Sequence, residues 1–367
     1  MTSAEYLQIA FLLSKRANSK DIRPNPFVGA ILVDQNGEII AEGYHKKAGE
    51  AHAEVIAINN AKQKRDDLSD CTLYVTLEPC SHFGKTPPCT NLIIDHKIAK
   101  VVIGSLDPNP LVDGVQQLKD AGIDVEICLL PEIEIFNSVF NINHRLKRPK
   151  YILKTATTLN GKIADRAGTS KWITNNSSRK YVHEILRSSV DAILTTAKTV
   201  IQDNANLNIR REGKEAEELS VIIIDRNLEI LNNAQQQLAL FYPRVHSKIY
   251  LVTDKKYEHD LPNHIEIIET VFNNGMYDTP SLNKILLSKN ICEVLVEGGG
   301  KLNGAMINEN QIDELNLFIA PSLLLDNQAI NAFNWEELQL MDQKTNLKLI
   351  ETKIIEQDVL LRYQLMH

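Results

Sequence analysis

Two short segments of the chain carry side chains of the types that bind a metal ion. The first is His52-Ala53-Glu54, and the second runs from Pro79-Cys80 to Pro88-Cys89. Together they supply one imidazole, two thiolates and a carboxylate that is not needed as a ligand. Nitrogen and sulfur ligands suit Zn²⁺, and three of them leave a fourth position for water. A fold that uses this ligand set must bring residues 52–54 and 80–89 to one point.

The chemistry of such a site can be stated before any fold is known. Zinc lowers the pKa of a bound water towards neutrality, so that hydroxide becomes available as a nucleophile. Glu54 can then carry protons without binding the metal. A His-x-Glu segment followed by paired cysteines is the pattern of zinc deaminases.

Two other interpretations of these residues remain open. A structural zinc site would need a fourth protein ligand, which His82 can supply. Alternatively, Cys80 and Cys89 are ordinary buried thiols of a hydrophobic core. The carboxylate of Glu54 beside His52, and the prolines that fix both cysteine loops, favour the catalytic interpretation over both.

The order of predicted elements indicates α/β architecture throughout. In the first half, residues 27–33 and 38–43 flank the turn signal Asp34-Gln35-Asn36-Gly37 and predict a β-hairpin. A helix over residues 53–64, a strand over 71–77 and a helix opened by Pro87-Pro88 follow. In the second half, strands are predicted at residues 151–155, 191–195, 220–225, 248–253, 291–297 and 315–320, helices at 177–187 and 301–309, and a closing hairpin at 347–365.

The chain of 367 residues is long for one hydrophobic core, which predicts two domains. The basic, proline-containing segment at residues 144–150 interrupts the α/β pattern and is predicted as a solvated linker. We therefore expect a first domain over residues 1–147 and a second over residues 148–367.

Charge and composition exclude several classes of partner. A net charge of −7 argues against a nucleic-acid surface but not against a small basic pocket for a phosphorylated metabolite. The first 20 residues carry charges within an amphipathic pattern, which predicts a helix with Leu7, Leu12 and Leu13 on its apolar face and no signal peptide. No apolar run is long enough to span a bilayer. Five scattered cysteines favour a reducing, cytoplasmic location.

Motifs of the first half resemble one enzyme family. Asn25-Pro26-Phe27-Val28-Gly29-Ala30, Gly43-Tyr44-His45, His52-Ala53-Glu54, Thr76 to His82 and Gly84 to Cys89 are similar to the pyrimidine deaminase of riboflavin biosynthesis, which is fused to a reductase. The resemblance implies a cytidine-deaminase-like three-layer domain. It also implies that Glu54 is a proton shuttle and that three residues bind zinc: His52, Cys80 and Cys89. The implied substrate pocket is formed by Asn25, His45, His82, Lys85 and Thr86.

Motifs of the second half resemble the reductase part of the same family. Examples are Lys154 to Ala164, Ser170 to Thr174, Thr199 to Asp203 and Val296 to Gly300. The resemblance implies a dihydrofolate-reductase-like α/β domain that uses NADPH, with Lys154 or Asp203 assisting proton delivery. It implies substrate contacts from Ser170, Arg187, Leu207, Arg210 and Glu297, and cofactor contacts from Ala156, Trp172, Thr174, Thr199, Gly298, Gly299 and Gly300.

The resemblance thus implies a bifunctional enzyme with a phosphorylated pyrimidine substrate. We expect hydrolytic deamination of 2,5-diamino-6-ribosylamino-4(3H)-pyrimidinone 5′-phosphate, followed by NADPH-dependent reduction of the ribosyl side chain, in a homo-oligomer. Two alternatives remain. One, motivated by a segment at residues 111–115 that is shorter than the family's, is a first domain that serves as a zinc-stabilised scaffold beside an active reductase. A nucleic-acid base deaminase is opposed by the acidic charge balance.

Overall fold

The computed structural model of the chain describes residues 1–83, 87–232, 238–241, 244, 246–273, 276–336 and 339–366. The chain divides into two compact units, Met1–Lys147 and Arg148–His367, each with its own sheet and core. Lys85 and Thr86, which the resemblance assigns to a substrate pocket, lie outside the described residues.

The first unit is built on a mixed five-stranded sheet in the order β2-β1-β3-β4-β5. The antiparallel pairs β1/β2 and β1/β3 are followed by the parallel pairs β3/β4 and β4/β5. Its elements, in chain order, are α1 (Ser3–Ser14), α2 (Ser19–Ile22), β1 (Gly29–Val33), β2 (Ile39–Tyr44), α3 (Ala53–Lys62), β3 (Thr72–Val75), α4 (Cys89–Asp95), β4 (Lys100–Ile103), α5 (Gly114–Asp120), β5 (Asp124–Ile127), α6 (Pro131–Phe136) and α7 (Ser138–Leu146).

The predicted hairpin at the start of this sheet is confirmed. One carboxylate oxygen of Asp34 accepts hydrogen bonds from the backbone N–H groups of Asn36 and Glu38, which fixes the turn between β1 and β2. The predicted apolar face of α1 is partly wrong, because Leu12 is exposed whereas Leu7 and Leu13 are buried. Phe11 takes the buried position instead, so the face of α1 that meets the core is rotated relative to the prediction.

The second unit is built on a nine-stranded sheet. Its elements are β6 (Lys150–Thr158), β7 (Lys162–Ala164), α8 (Asn176–Tyr181), a π-helix (Val182–Arg187), β8 (Ala192–Thr196), α9 (Ala197–Asp203), β9 (Ser220–Ile224), α10 (Glu229–Asn232), β10 (Ile249–Thr253), β11 (Ile265–Glu269), β12 (Phe272–Asn273), β13 (Met276–Tyr277), α11 (Thr279–Ser288), β14 (Glu293–Val296), α12 (Gly300–Asn308), β15 (Glu314–Ala320), β16 (Ile330–Asn331), β17 (Leu347–Ile355) and β18 (Asp358–Leu365). Short 3₁₀ turns lie at Ala239–Phe241 and Met341–Gln343.

Strand order in this sheet is β11-β10-β9-β8-β14-β6-β15-β18-β17. The strands from β11 to β15 run parallel, and the closing hairpin β17/β18 pairs antiparallel with β15. All carboxyl ends of the parallel strands therefore meet at one edge, which is where ligands bind in open α/β sheets. No helix among the described residues is long and apolar enough to cross a membrane.

Candidate active sites

His52, Cys80 and Cys89 converge in the first unit. The ring Nδ1 of His52 lies 3.3 Å from Sγ of Cys89 and 3.6 Å from Sγ of Cys80. His52 is the residue just before α3, and Cys89 is the first residue of α4. Cys80 lies in the irregular segment after β3. The backbone N–H of Cys89 nevertheless donates to the Cys80 sulfur over 3.3 Å, so a helix start does face that thiol.

These three side chains fit a zinc ion. Tetrahedral coordination with Zn–N near 2.0 Å and Zn–S near 2.3 Å places a ligand nitrogen about 3.6 Å from a ligand sulfur. The two separations at His52 match that value. The ligand atoms of all three residues lie within 4.8 Å of one another, and His82 is not part of this group. Because His82 is exposed, the geometry favours a three-ligand site over the four-ligand structural alternative.

Protonation differs sharply between the two cysteines. The pKa of the Cys80 thiol is lowered to about 4, chiefly because it accepts a hydrogen bond from Cys89 and also because it lies beside the His52 ring. The pKa of the Cys89 thiol is raised, because its proton is shared with Cys80 and because the thiol is buried. One thiolate is thus already favoured, which is the form that binds a metal.

Glu54 lies in the first turn of α3, two residues from His52. Its side chain is only 4% exposed, and burial raises the pKa of its carboxyl, while His52 and a hydrogen bond from Cys89 act in the opposite direction. A carboxyl with a raised pKa next to a metal site is well placed to accept and return protons. His52 and Glu54 thus both lie at the start of the helix that the sequence predicted over residues 53–64.

Asn25 and His45 form an ordered pair beside the metal ligands. His45 is buried, and its ring Nδ1 donates to the backbone oxygen of Ala51 over 3.0 Å. Its Nε2 can therefore accept the amide hydrogen of Asn25, 2.9 Å away. Burial lowers the pKa of His45, which favours this neutral ring. The rings of His45 and His52 pack edge to face with centroids 5.4 Å apart, so the pair lies directly beside the zinc site.

The segment at residues 107–115 is joined by hydrogen bonds to the segment that carries Cys80. The Glu78 carboxylate accepts hydrogen bonds from the backbone N–H groups of Asp107 and Val115, at 3.2 and 3.0 Å. A side chain on Gly114 would meet the backbone oxygen of Pro79 at 2.1 Å, so only glycine permits this approach. Sequence reasoning missed this role of Glu78. Burial, with the nearby Glu78 charge, also raises the pKa of Asp107 to about 6.

The second unit contains a cavity of about 350 Å³. It collects nine of the residues that the sequence assigned to the reductase: Lys154, Ser170, Trp172, Thr174, Arg187, Asp203, Leu207, Arg210 and Glu297. Five cationic side chains and two carboxylates line it, so its walls favour an anionic ligand: Lys154, Lys171, Arg179, Arg187 and Arg210 against Asp203 and Glu297.

Glu297 anchors the charge arrangement of this cavity. Nε and Nη2 of Arg187 donate to its two carboxylate oxygens at 2.7 and 3.0 Å, and Nζ of Lys154 lies 4.0 Å away. Burial alone would raise the pKa of Glu297, but the charges of Arg187 and Lys154 outweigh it and lower the pKa to about 2. Burial lowers the pKa of Lys154, against the attraction of Glu297. A buried lysine with a lowered pKa gives up a proton more readily than a surface lysine.

The rim of the cavity is formed by Trp172 and residues near it. Trp172 is 68% exposed, and the guanidinium carbon of Arg179 lies 4.3 Å from its ring centre. An exposed aromatic face stacked by a cation is available to a planar ligand. Burial raises the pKa of Asp203, partly offset by Lys171.

The remaining cofactor candidates lie along the carboxyl edge of the sheet. Gly298–Gly300 connect β14 to the nine-residue helix α12, and Gly299 at its start has no atom within 4 Å of the place where a Cβ would stand. Thr199 lies in α9, which follows the neighbouring strand β8. Ala156 lies in β6 and packs against the core. Free space at a helix start beside two strand ends fits a cofactor phosphate.

Sequence reasoning missed His183, Lys171 and Arg179 in this cavity. His183 occupies the π-helix together with Arg187, and both side chains reach the cavity. The only signal available was the spacing of four residues between them, which places two side chains on neighbouring turns of a helix. Taken alone, that spacing is too common to single out a functional residue.

Two family models match the chain, one in each unit. Residues 1–105 match the cytidine and deoxycytidylate deaminase zinc-binding region, and residues 149–361 match the RibD C-terminal domain. Riboflavin biosynthesis protein RibD of Actinobacillus pleuropneumoniae is 39% identical over 99% of this chain and 95% of its own length. RibD of Escherichia coli K12 is 34% identical over 88% and 89% of the two chains.

Solved structures give the same result over nearly the full length. A RibD structure from Acinetobacter baumannii superposes with a TM-score of 0.82 at 31% identity, covering 99% of both chains. The diaminohydroxyphosphoribosylaminopyrimidine deaminase/5-amino-6-(5-phosphoribosylamino)uracil reductase of Thermotoga maritima superposes with a TM-score of 0.80 at 34% identity, again over 99% of both chains. The chain therefore belongs to the RibD family and is a bifunctional enzyme of riboflavin biosynthesis, a zinc-dependent deaminase joined to an NADPH-dependent reductase.

Proposed function

We propose that the first unit deaminates 2,5-diamino-6-ribosylamino-4(3H)-pyrimidinone 5′-phosphate and that the second unit reduces the ribosyl side chain of the product to ribityl. The observation that carries this proposal is the presence of two separate, chemically different sites. One is the group of His52, Cys80 and Cys89 beside a buried Glu54. The other is a cationic cavity with a buried lysine in the second unit.

In the first site, His52, Cys80 and Cys89 would hold zinc, which lowers the pKa of a water towards neutrality. Glu54 would accept one proton of the attacking water at a carboxylate oxygen and give it to the ring nitrogen. It would then take the second proton, from the hydroxyl now on the ring carbon, and give it to the amine, which leaves as ammonia. The pair Asn25 and His45 lies beside the ligands and orients the pyrimidine. His82, which is exposed, and Lys85 and Thr86, which lie outside the described residues, complete the substrate pocket in this proposal.

In the second site, bound NADPH supplies the hydride, and the protein supplies position and charge. Lys154 donates a proton at Nζ to the ribose ring oxygen as the bond of that oxygen to C1′ breaks, and C1′ is the carbon that takes the hydride. Asp203, whose pKa burial also raises, is the second candidate for this donation. Arg187 is held by Glu297, whereas Arg210 contacts the His183 ring and has no carboxylate partner among the described residues, so its charge is available to a substrate phosphate. Ser170 and Leu207 shape the same cavity, and Trp172, Thr174, Thr199, Ala156 and the glycines at 298–300 contact the cofactor.

One assay tests both halves of the proposal. Purified enzyme is incubated with the diaminopyrimidine phosphate and NADPH, and ammonia release is followed together with NADPH oxidation. Glu54→Ala should abolish ammonia release and leave NADPH oxidation intact when the deaminated intermediate is supplied. Glu50→Ala, an exposed carboxylate nearby in the sequence, is the matched control and should behave like the wild type.

The outcomes separate the alternatives. Ammonia release at an unchanged rate in Glu54→Ala would contradict the assigned proton shuttle. A zinc-containing wild-type protein that reduces the intermediate but never releases ammonia would instead favour the scaffold alternative for the first unit. Tight, salt-sensitive RNA binding would revive the nucleic-acid alternative.

We also propose that the enzyme is a cytoplasmic homo-oligomer. Edge strand β17 supports the oligomer, because it exposes four large apolar side chains: Leu347, Leu349, Ile350 and Ile354. Five free cysteines support a reducing compartment. Light scattering of the wild type and of Ile350→Lys tests the first statement, since a monomer in both samples would contradict it. Cell fractionation tests the second, and recovery of the enzyme outside the cytosol would contradict it.

A further inference from the structure

The segment that carries Asn25 has no regular secondary structure. It covers residues 23–28, between helix α2 and strand β1. Its two prolines, Pro24 and Pro26, have no backbone N–H to donate. The backbone N–H of Asn25 donates to the Ile22 oxygen over 2.8 Å, which fixes the end of the segment next to α2. The position of the Asn25 side chain therefore also depends on what holds the residues after it.

Asn137 pairs with the backbone in the middle of this segment. Its side-chain oxygen accepts the backbone N–H of Phe27 over 2.8 Å, and its Nδ2 donates to the backbone oxygen of Phe27 over 3.0 Å. Because these two backbone groups have fixed roles as donor and acceptor, the orientation of the Asn137 amide is fixed as well. One residue that exchanges both hydrogen bonds with another is the pattern of paired residues in an antiparallel sheet. The Asn137 side chain thus replaces a strand partner for Phe27.

Asn137 is itself buried in the first unit. It is 3% exposed and lies at the junction of α6 and α7. The residue before it, Phe136, packs its ring against that of Phe27, with centroids 4.8 Å apart, and against that of Phe11 in α1. The backbone and the ring of Phe27 therefore both contact the α6–α7 junction. Loss of the Asn137 amide would leave the N–H and the oxygen of Phe27 without this partner.

Phe27 lies between two points of the chain that lead to one contact in the first site. Asn25 is two residues before it, and the oxygen of Val28, directly after it, accepts the backbone N–H of His45 over 2.9 Å. The side chains of Asn25 and His45 then meet, with 2.9 Å between Nδ2 and Nε2. The His45 ring is also fixed by the Ala51 backbone oxygen. A displacement of the Phe27 backbone therefore moves the Asn25 amide relative to His45.

We propose that Asn137 is a positioning residue for deamination, which holds the Phe27 backbone and thereby sets the Asn25 amide against His45. The inference rests on the proposed function, in which the pair of Asn25 and His45 orients the pyrimidine. Asn137 acts through Asn25 and is not a catalytic residue. A group misplaced by about 1 Å can lower the rate of an enzyme about 100-fold. Two hydrogen bonds to the Phe27 backbone oppose such a displacement.

NMR of the zinc-loaded, full-length enzyme with ¹⁵N-labelled histidine tests this contact without turnover. A hydrogen bond from an amide shifts the ¹⁵N resonance of the imidazole nitrogen that accepts it, and the signal of His45 is assigned by its absence in His45→Gln. Asn137→Ala removes the amide, and Asn137→Asp keeps the side-chain volume but lacks the N–H donor. Asn141→Ala is the matched control. Asn141 is also a buried asparagine of α7, but its Nδ2 donates to the backbone oxygen of Glu134.

We expect the Nε2 resonance of His45 to move in Asn137→Ala and Asn137→Asp to its position in Asn25→Ala, and to stay at the wild-type position in Asn141→Ala. kcat/KM for ammonia release should fall about tenfold or more in both Asn137 variants. Zinc content, and NADPH oxidation on the deaminated intermediate, should stay at the wild-type level. If Asn137→Ala fails to retain zinc, Asn137→Asp decides the question.

Three results would overturn the inference. They are an unshifted His45 resonance in a zinc-loaded Asn137 variant, an equal shift in Asn141→Ala, and wild-type ammonia release from an Asn137 variant whose resonance has shifted.

A double variant separates action through Asn25 from a general loosening of the first unit. If Asn137 acts through Asn25, adding Asn137→Ala to Asn25→Ala should not move the His45 resonance further, whereas a further shift would contradict the proposed route. The resonance depends on the contact between Asn25 and His45 and not on which compound is deaminated. A wild-type enzyme that releases no ammonia from the diaminopyrimidine phosphate would therefore contradict the proposed function, while the resonances would still decide whether Asn137 positions Asn25.

Discussion

Replacement of Glu297 by glutamine tests the charge arrangement of the second cavity. The carboxylate accepts two hydrogen bonds from Arg187, at 2.7 and 3.0 Å, and its side chain is only 14% exposed. Its pKa falls from 4.5 to about 2. At 1.36 kcal/mol per pKa unit, the ionised form stabilises the fold by about 3 kcal/mol. Removing one partner of a buried ion pair costs a similar amount, about 3–5 kcal/mol.

The sign of the pH dependence follows from the direction of the shift. Because the folded-state pKa of Glu297 is depressed, its contribution is complete above about pH 4.5 and is lost as the pH falls towards 2. Glu297→Gln should therefore lower the free energy of unfolding of the second unit by about 3 kcal/mol at pH 7. The difference from the wild type should shrink as the pH falls below 4.5.

Tryptophan fluorescence during urea unfolding measures this change selectively, because both tryptophans, Trp172 and Trp335, belong to the second unit. Glu266→Gln is the matched control, since Glu266 pairs with Lys289 but is 39% exposed. A surface pair of this kind contributes at most about 1 kcal/mol. A loss below 1 kcal/mol in Glu297→Gln at pH 7, or a loss that grows as the pH falls, would refute the reasoning.

Three further predictions concern glycines and a buried thiol. Gly300→Ala should destabilise the second unit by about 1–3 kcal/mol and weaken NADP⁺ binding, because its Cβ would lie 2.2 Å from a backbone oxygen of β16. Gly299→Ala should leave stability unchanged and weaken NADP⁺ binding, because its Cβ would stand only in the open space assigned to the cofactor phosphate; equal destabilisation of the two variants in calorimetry would contradict this. Gly114→Ala should reduce zinc retention in dialysis against a chelator, because its Cβ would displace Pro79 next to Cys80; unchanged retention would count against it. Cys71 should resist iodoacetamide at pH 8 in the folded protein and react in urea, because burial raises the pKa of its thiol to about 12. Rapid labelling of Cys71 in the folded protein would contradict this prediction.

Much of the fold could be predicted from local sequence signals. The hairpin around Asp34, the helix that begins at Ala53 and most central strands have strong turn, capping or β-branched patterns, and the structure has them near the predicted positions. Strand β11 and helices α9 and α11 were not predicted. Residues 265–269, Ile-Glu-Ile-Ile-Glu, cover only five positions and do not alternate strictly, and helix α9 has only seven residues. The structure of such short segments depends on contacts with neighbouring strands and helices, and sequence periodicity does not reveal those contacts.

The candidate sites divide in the same way. Some residue types are needed by only one chemistry, and these could be recognised from their spacing alone. His52 with two cysteines is an example, and the structure brings these three residues together. Residues that act through shape or through another side chain could not. Glu78 holds a loop by accepting two backbone hydrogen bonds, and the His183 ring contacts both the backbone and the guanidinium of Arg210. Both contacts join residues that are distant in the sequence, so they depend on the folded chain.

The central claim is that two independent sites on one chain act in sequence, with Glu54 and Lys154 as their proton carriers. The most direct test identifies by mass spectrometry the compound that accumulates when Glu54→Gln or Lys154→Met acts on the diaminopyrimidine phosphate with NADPH. We predict that Glu54→Gln retains zinc and leaves the substrate unchanged. Lys154→Met should instead accumulate the deaminated compound with its ribosyl side chain unreduced. The fully converted ribityl product from either variant at the wild-type rate would contradict the account.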